Sequence, residues 1–239
     1  MTRMFIIDGK PMRTWNCFVG CNFDCTYCSA RKLALGRLKN SPRYRDGFKP
    51  HLVREELRRH FRPGEWVFIA YMGDIAWCEE EDLRAIMGRV RLFPDTKFLM
   101  MTKDPHHYLW WQQLWGFEPP PHLYLGTTIE TNIDYNLSQA PPPVWRYEAM
   151  AQLQHPHKFV SLEPLMDFHL ATLVAWIKEI GPEIIEVGAD NYHNSLPEPY
   201  GAVPAQKAPW KVRWLLEELR QICPTVVEKR GLERLTGIS

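Results

Sequence analysis

Six cysteines occur in this 239-residue chain, at positions 17, 21, 25, 28, 78 and 223. Four of them crowd into the run Asn16-Cys17-Phe18-Val19-Gly20-Cys21-Asn22-Phe23-Asp24-Cys25-Thr26-Tyr27-Cys28. A disulfide framework spreads its pairs along a chain, whereas close thiols in a reducing compartment more often bind metal. Zinc ribbons and fingers take two separate Cys-x2-4-Cys knuckles, and no second knuckle follows here, because Cys78 and Cys223 stand alone. Iron–sulfur clusters take close runs of thiolates. The spacing Cys21-x3-Cys25-x2-Cys28 supplies three from one loop. Three ligands on a four-iron cluster leave one iron without a protein ligand, which is the logic of a catalytic site rather than a closed structural one. Zinc, or plain buried thiols, is the competing reading. Cys17 as a fourth ligand would close the cluster and make an electron-transfer or sensor protein. At the end of a short strand over 14–17, Cys17 reads instead as a small buried hydrophobe.

The signature Cys-x3-Cys-x-aromatic-Cys, with Tyr27 one place before the third cysteine, resembles that of the radical S-adenosylmethionine (SAM) superfamily. The resemblance implies a 4Fe–4S cluster on Cys21, Cys25 and Cys28, with SAM chelating the open iron.

The elements that must position this loop alternate. Strands are expected over 14–17, 66–72, 97–102, 122–128, 158–162, 183–188 and 225–228. Between them fall a polar, Arg-rich loop over 31–50 and helices over 51–61, 79–91, 105–115, 144–154, 169–180 and 210–222. Leu83, Ile86, Met87 and Val90 keep helical spacing. Asp104 and Pro105 open one helix, and Gly181-Pro182 stops another. Alternation of this kind argues for a parallel sheet covered by helices. The candidates are an open doubly wound sheet and a partial β/α barrel. Neither a G-x-G-x-x-G after the first strand nor a G-x-x-x-x-G-K-[ST] occurs, which lowers the nucleotide-binding open sheet. The resemblance implies a partial (β/α)6 barrel with parallel strands and outer helices, and residues 1–239 read as one domain with a long loop over 189–209.

In such a barrel the active site lies at the C-terminal ends of the strands. Those ends deliver Met72-Gly73-Asp74, Thr102-Lys103-Asp104, Thr127-Thr128-Ile129-Glu130, Leu162-Glu163-Pro164, Ala189-Asp190-Asn191 and Glu228-Lys229-Arg230. The set Trp15-Asn16-x3-Gly20-Cys21, Phe68-x4-Gly73-Asp74, Thr102-Lys103, Leu125-Gly126-Thr127-Thr128-x-Glu130 and Ser161-Leu162-Glu163-Pro164-Leu165, closed by a late Lys229, looks like a largely uncharacterised radical SAM family. That family is common in phages and mobile elements and is distantly similar to spore photoproduct lyase. The match runs from about residue 13 to residue 235 and departs at Cys17, where relatives usually place Pro. It implies roles. Gly73 and Asp74 take the place of the motif that binds the SAM amino group: Gly allows close backbone approach, and Asp accepts from an ammonium. Thr102 and Lys103 would reach the SAM carboxylate or a substrate anion. Thr128 and Glu130, two apart, face one side of an extended segment and would bind ribose hydroxyls or substrate. Glu163, held extended before Pro164, would bind a sugar hydroxyl or substrate, and Tyr27 would pack near the adenine. For each, ordinary strand-end polarity or core packing is the bland alternative, and no catalytic residue is singled out. The activity implied is reductive cleavage of SAM to a 5′-deoxyadenosyl radical that abstracts hydrogen, with an external one-electron reductant as partner.

Composition sets the outer bounds. Hydrophobic residues are 45% and charged residues 24%, ordinary for a globular chain and far from disorder. Apolar runs such as residues 65–72 fall well short of ~20 residues, so no membrane span is expected. The start of the chain is charged too soon for a secretory signal, so a cytoplasmic protein is expected. Net charge is only +1, which argues against tight non-specific DNA binding. Yet residues 31–62 carry eleven Lys or Arg against three acids, a net +8, and the other 18 basic and 25 acidic residues leave −7. A basic block suits a polyanionic substrate; a solvated face is the bland reading. Trp110, Trp111, Trp115, Trp145 and Trp210 would stack on bases or simply pack helices on the sheet. A nucleic acid or nucleotide is therefore the substrate class raised, with a zinc-dependent nucleic-acid-binding module as a rival to the enzyme.

Overall fold

The computed structural model describes residues 6–7, 10–192, 194–199 and 208–237. Seven strands form the main sheet: β1 (Arg13–Trp15), β2 (Trp66–Ile69), β3 (Lys97–Thr102), β4 (Leu123–Thr128), β5 (Lys158–Leu162), β6 (Ile184–Val187) and β7 (Thr225–Glu228). Hydrogen-bonded neighbours run in the order β7-β6-β5-β4-β3-β2-β1. The pairs β1–β2, β2–β3, β5–β6 and β6–β7 are parallel. Every neighbour is also the next strand in sequence, so each crossover carries one helix or more, as parallel pairing requires. The helices are α1 (Ser29–Leu35), α2 (Glu80–Arg91), α3 (His106–Trp115), α4 (Pro143–Gln152), α5 (Leu170–Ile180), α6 (Pro209–Ile222) and α7 (Glu233–Thr236). This is the partial β/α barrel that the resemblance implied, one of the two architectures the alternation allowed, and it puts all strand C-termini at one end of the sheet.

The sequence chemistry behind the elements is plain. β2 and β6 are buried at every position, which suits a sheet covered on both faces. α2 buries Leu83, Ile86, Met87 and Val90, carries Glu80, Glu81 and Asp82 in its first turn, and ends on Arg89 and Arg91. That pattern combines an amphipathic face with favourable charge at both helix ends. α5 stops at Gly181, whose φ of +61° makes the left-handed cap.

Two expected elements differ. Residues 51–61, expected as a helix, form a two-residue strand, His51–Leu52, and a 3-10 turn, Arg54–Arg58. The short strand pairs antiparallel with Phe18–Val19, and this tertiary pairing overrides the local periodicity. The helix lies earlier, as α1, which overlaps the start of the segment expected to be an Arg-rich loop. Only Ala34 of α1 is buried, so it offers little hydrophobic periodicity to read. Of the loop expected over 189–209, positions 193 and 200–207 lie outside the described residues, as do positions 1–5 of the N-terminal start.

Contacts divide the chain into two compact units, residues 1–126 with 137–140, and residues 127–136 with 141–239. In the first, Val19, Ala34, Tyr44, Phe48, Val53 and Met72 form a small core with Cys21, Cys28, Ala30, Leu38 and Tyr71 packed on it. The segment following the cysteine loop thus folds back to wall the loop in. In the second, α4, α5 and α6 cover β5–β7, and Leu173, Ile177, Leu215, Leu216 and Leu219 are buried. No helix among the described residues is long and apolar enough to cross a membrane.

Candidate functional site

The cysteine loop leaves β1 and turns sharply. Gly20 adopts a φ of +87°. Its N–H donates to Met72 O (3.0 Å), and its carbonyl accepts from Asp74 N (3.2 Å). Cys21 N donates to Phe48 O at 3.1 Å. A Cβ on Gly20 would lie 2.1 Å from Lys49 O, and one on Gly73 would lie 2.8 Å from Gly20 O. Gly73 is therefore demanded by backbone contact with Gly20, an observation independent of any ligand.

Past this turn, Cys21, Cys25 and Cys28 share one cluster with Phe23, Tyr27, Ala76 and Ala140. Phe23 N donates to Cys21 Sγ (3.4 Å) and Arg31 N to Cys28 Sγ (3.3 Å), so Cys28 caps α1. The Arg31 guanidinium also donates to Cys25 O (3.1 Å) and pairs with Asp24. Burial, then the Asp74 carboxylate and the neighbouring Cys25 and Cys28, push the Cys21 thiol well above its ordinary range. Thiols that oppose one another's ionisation in this way suit a cationic centre, which reverses the penalty. Among the described residues, no three His, Cys, Asp or Glu side chains gather as for one metal ion. A four-iron body holds its thiolates farther apart than a single ion does. With two sulfurs already accepting N–H bonds, which tune such clusters, the loop fits one. Cys17 is fully buried. Burial pushes its thiol up, as it does for Cys78, which feels the field of Cys17. All six cysteines are free thiols.

The first unit brings four more of the expected residues together. Asp74 Oδ1 accepts from Ala76 N (3.0 Å) and Thr102 Oγ1 (2.6 Å), and Oδ2 accepts from Lys103 N (2.9 Å). Burial outweighs these donors and raises its carboxyl pKa. Asp74 therefore clamps the end of β3 to the end of β2, a role the sequence did not show. Lys103 Nζ donates to Tyr27 Oη (3.1 Å) and lies 5.2 Å from that ring's centre. The chain Asp74–Lys103–Tyr27 thus ends between Cys25 and Cys28.

The second unit holds the remaining three. Thr128 Oγ1 donates to Glu163 O (3.4 Å). Glu130, at φ +66°, is buried and pairs with Arg146 NH1 at 3.0 Å. Arg146 also donates to Thr128 O (3.2 Å) and Pro141 O (2.6 Å). This buried cation on α4 carried no signal in the sequence. Glu163, followed by a cis peptide bond to Pro164, pairs with Lys229. Lys229 Nζ is 3.8 Å from Glu186 Oε2, and Ser161 Oγ donates to Glu186 Oε1 at 2.7 Å. Glu186 was missed as well, although a single acid within Ile184-Ile185-Glu186-Val187 is a readable anomaly, since a buried acid needs a partner.

Of the tryptophans raised for stacking, Trp111 is fully buried and stacks with Trp115 (ring centres 5.8 Å apart, planes at 12°), so it is core. Trp110, Trp145 and Trp210 remain about half exposed.

The fold is similar to that of a cysteine-to-alanine mutant of spore photoproduct lyase with dinucleoside spore photoproduct. The TM-score is 0.56 at 9% identity, over 90% of this chain and 76% of that one. A double mutant of the same enzyme, with bound AdoMet and dinucleoside spore photoproduct, gives a TM-score of 0.48 at 9% identity, over 92% of this chain and 64% of that one. At that identity the likeness is one of fold. No curated protein matches the chain. A family model matches residues 11–184, most of the chain, and the protein belongs to that family, described as Protein of unknown function (DUF5131).

Proposed function

We propose that this protein is a radical SAM enzyme acting on a nucleic acid or nucleotide. The observation that carries the proposal is the set Cys21, Cys25 and Cys28, with Tyr27 before the third thiol, on one walled loop that follows the first strand of a parallel β/α sheet. In this reading the three thiolates hold a 4Fe–4S cluster. When bound, the cluster and SAM supply a 5′-deoxyadenosyl radical for hydrogen abstraction, once an external reductant has given one electron.

The chain's own residues do the rest. Phe23 N and Arg31 N donate to two of the sulfurs and so tune the cluster. Asp74 fixes Thr102 and Lys103, and Lys103 keeps a positive charge beside Tyr27 for a ligand carboxylate. Gly73 keeps the backbone next to the loop thin. Thr128, Glu130 and Glu163 are assigned to ligand hydroxyls, with Arg146 orienting Glu130. The substrate class has two supports. The fold relative is a lyase whose name carries a dinucleoside photoproduct. In the segment after the loop, Lys32, Arg37, Lys39, Arg45 and Lys49 are exposed, and Arg31 and Arg43 pair with Asp24 and Glu56. The phage-associated family named by the sequence resemblance belongs to the same proposal.

The test is an anaerobic one. Reconstituted protein, dithionite and SAM are incubated, and 5′-deoxyadenosine is sought by chromatography. Its formation is expected. A colourless protein that purifies with zinc and no inorganic sulfide overturns the reading.

A further inference from the structure

At the C-terminal ends of β5, β6 and β7, two carboxylates share one ammonium. Lys229 Nζ pairs with Glu163 and lies 3.8 Å from Glu186 Oε2. Glu186 is 2% exposed and Lys229 14% by side chain, but Glu163 is 24% exposed, so only Glu163 reaches toward solvent. Ser161 holds the other oxygen of Glu186 at 2.7 Å, while Oε2 has no hydrogen-bond donor among the described residues. Gly188 has no side chain where Glu163 lies: a Cβ there would stand 2.8 Å from the Glu163 carboxyl carbon. The groups facing Glu186 are thus Ser161, Glu163 and Lys229, and Tyr192 adds to the field at Lys229.

With both carboxylates ionised the group carries −1 in a buried setting, which a bound proton relieves. Glu186, the more deeply buried carboxylate and the one with an oxygen that no donor meets among the described residues, takes that proton, although Lys229 opposes it. The geometry points to Glu186 as a positioning residue that, through Lys229, sets how strongly Glu163 accepts hydrogen bonds from a ligand's hydroxyl groups. When Glu186 holds a proton, it no longer competes with Glu163 for Lys229. When Glu186 ionises, the ammonium is divided, and Glu163 is left a stronger acceptor. Burial first, and Glu163 against the opposing pull of Lys229, push the Glu186 carboxyl up to about 7, so the exchange falls in the working range. Coupling is reciprocal: a ligand that favours ionised Glu186 also releases its proton.

The inference rests on the radical SAM reading only for the choice of SAM as probe, and the experiment separates the two. Infrared difference spectra of the full chain are recorded as pH crosses neutrality. A protonated-carboxyl band should disappear near pH 7, be missing from Glu186→Gln, and persist to higher pH in Lys229→Met and, more mildly, Ser161→Ala. SAM is then titrated calorimetrically into anaerobically reconstituted protein in two buffers of different ionisation heat. The wild type should bind about tenfold more tightly above the transition than below it, the worth of one pKa unit of coupling, and release part of a proton near neutrality. Glu186→Gln should lose both effects while still binding. A band unchanged in Glu186→Gln, or binding equally pH-dependent in that variant, overturns the inference. A wild type that shows the band but binds no SAM overturns the radical SAM reading and leaves the protonation of Glu186 standing.

Discussion

Gly20 and Gly73 meet backbone to backbone: the carbonyl of Gly20 accepts from Asp74 N at 3.2 Å, and a Cβ on Gly73 would fall 2.8 Å from that carbonyl. The cysteine loop is hung on this contact. An alanine at Gly20 faces a left-handed φ of +87° and a clash with Lys49 O at 2.1 Å. Strain of both kinds puts Gly20→Ala at about 3 kcal/mol or more of lost stability. Gly73→Ala meets backbone only, and should cost roughly 1–3 kcal/mol. Urea unfolding measures both. If Gly20→Ala unfolds at the wild-type midpoint, the loop is not held as described.

Substitution of Cys21, Cys25 or Cys28 by Ala should each abolish the iron–sulfur absorbance after anaerobic reconstitution, and iron and sulfide analysis should fall with it. Cys17→Ala should keep the absorbance, because Cys17 is fully buried beside Cys78 and not in the cluster formed by the other three. Its cost is that of a small cavity, about 1 kcal/mol. Loss of the cluster in Cys17→Ala alone would show a fourth thiolate and close the open iron.

What could be read in the sequence was what repeats or what is rare. The seven strands showed because buried parallel strands are continuous apolar runs, and the cysteine loop showed because three thiols at that spacing have few other uses. α1 did not show, because Ser29–Leu35 buries only Ala34 and its polar residues imitate a loop. The helix expected over 51–61 failed because His51 and Leu52 pair with Val19 and Phe18, more than thirty positions away. Among the site residues, Asp74 was legible by its type and place, but its partners within the fold were not. Its type and place suggested a ligand contact, while the fold gives its oxygens Ala76 N, Thr102 Oγ1 and Lys103 N. Arg146, sixteen positions from Glu130 and on another element, left no trace because long-range ion pairs have no spacing rule.

That ion pair makes the next prediction. Arg146 and Glu130 have side chains 5% and 3% exposed. Removing one partner leaves the other charge buried, so Arg146→Met should cost about 3–5 kcal/mol. Glu130→Gln in the same chain removes the stranded charge and should restore part of that loss. A double variant as unstable as the sum of both single ones would show that the pair does not couple.

The charge group around Glu186 makes stability depend on pH with a definite sign. Burial raises the Glu186 carboxyl from its ordinary 4.5 to about 7. Below pH 4.5 the group is protonated whether the chain is folded or not, and contributes nothing. Between 4.5 and 7 the folded chain keeps a proton that the unfolded chain has released, so stability falls as pH rises, by about 3 kcal/mol in all. His107 adds to the same trend. Burial opposes its charge, but Asp104 at 3.0 Å prevails and raises its pKa, so the stability it contributes at low pH is lost as pH rises through that value. Asp104, held low by the two histidines despite burial, gains its stability below this window. The informative quantity is therefore the difference between the wild type and Glu186→Gln across pH 5 to 8, read from urea midpoints at each pH. The variant should keep the gentler histidine slope and lose the steeper one. Parallel curves for the two proteins would mean that Glu186 titrates as an ordinary carboxylate, with its charge fully met by Lys229.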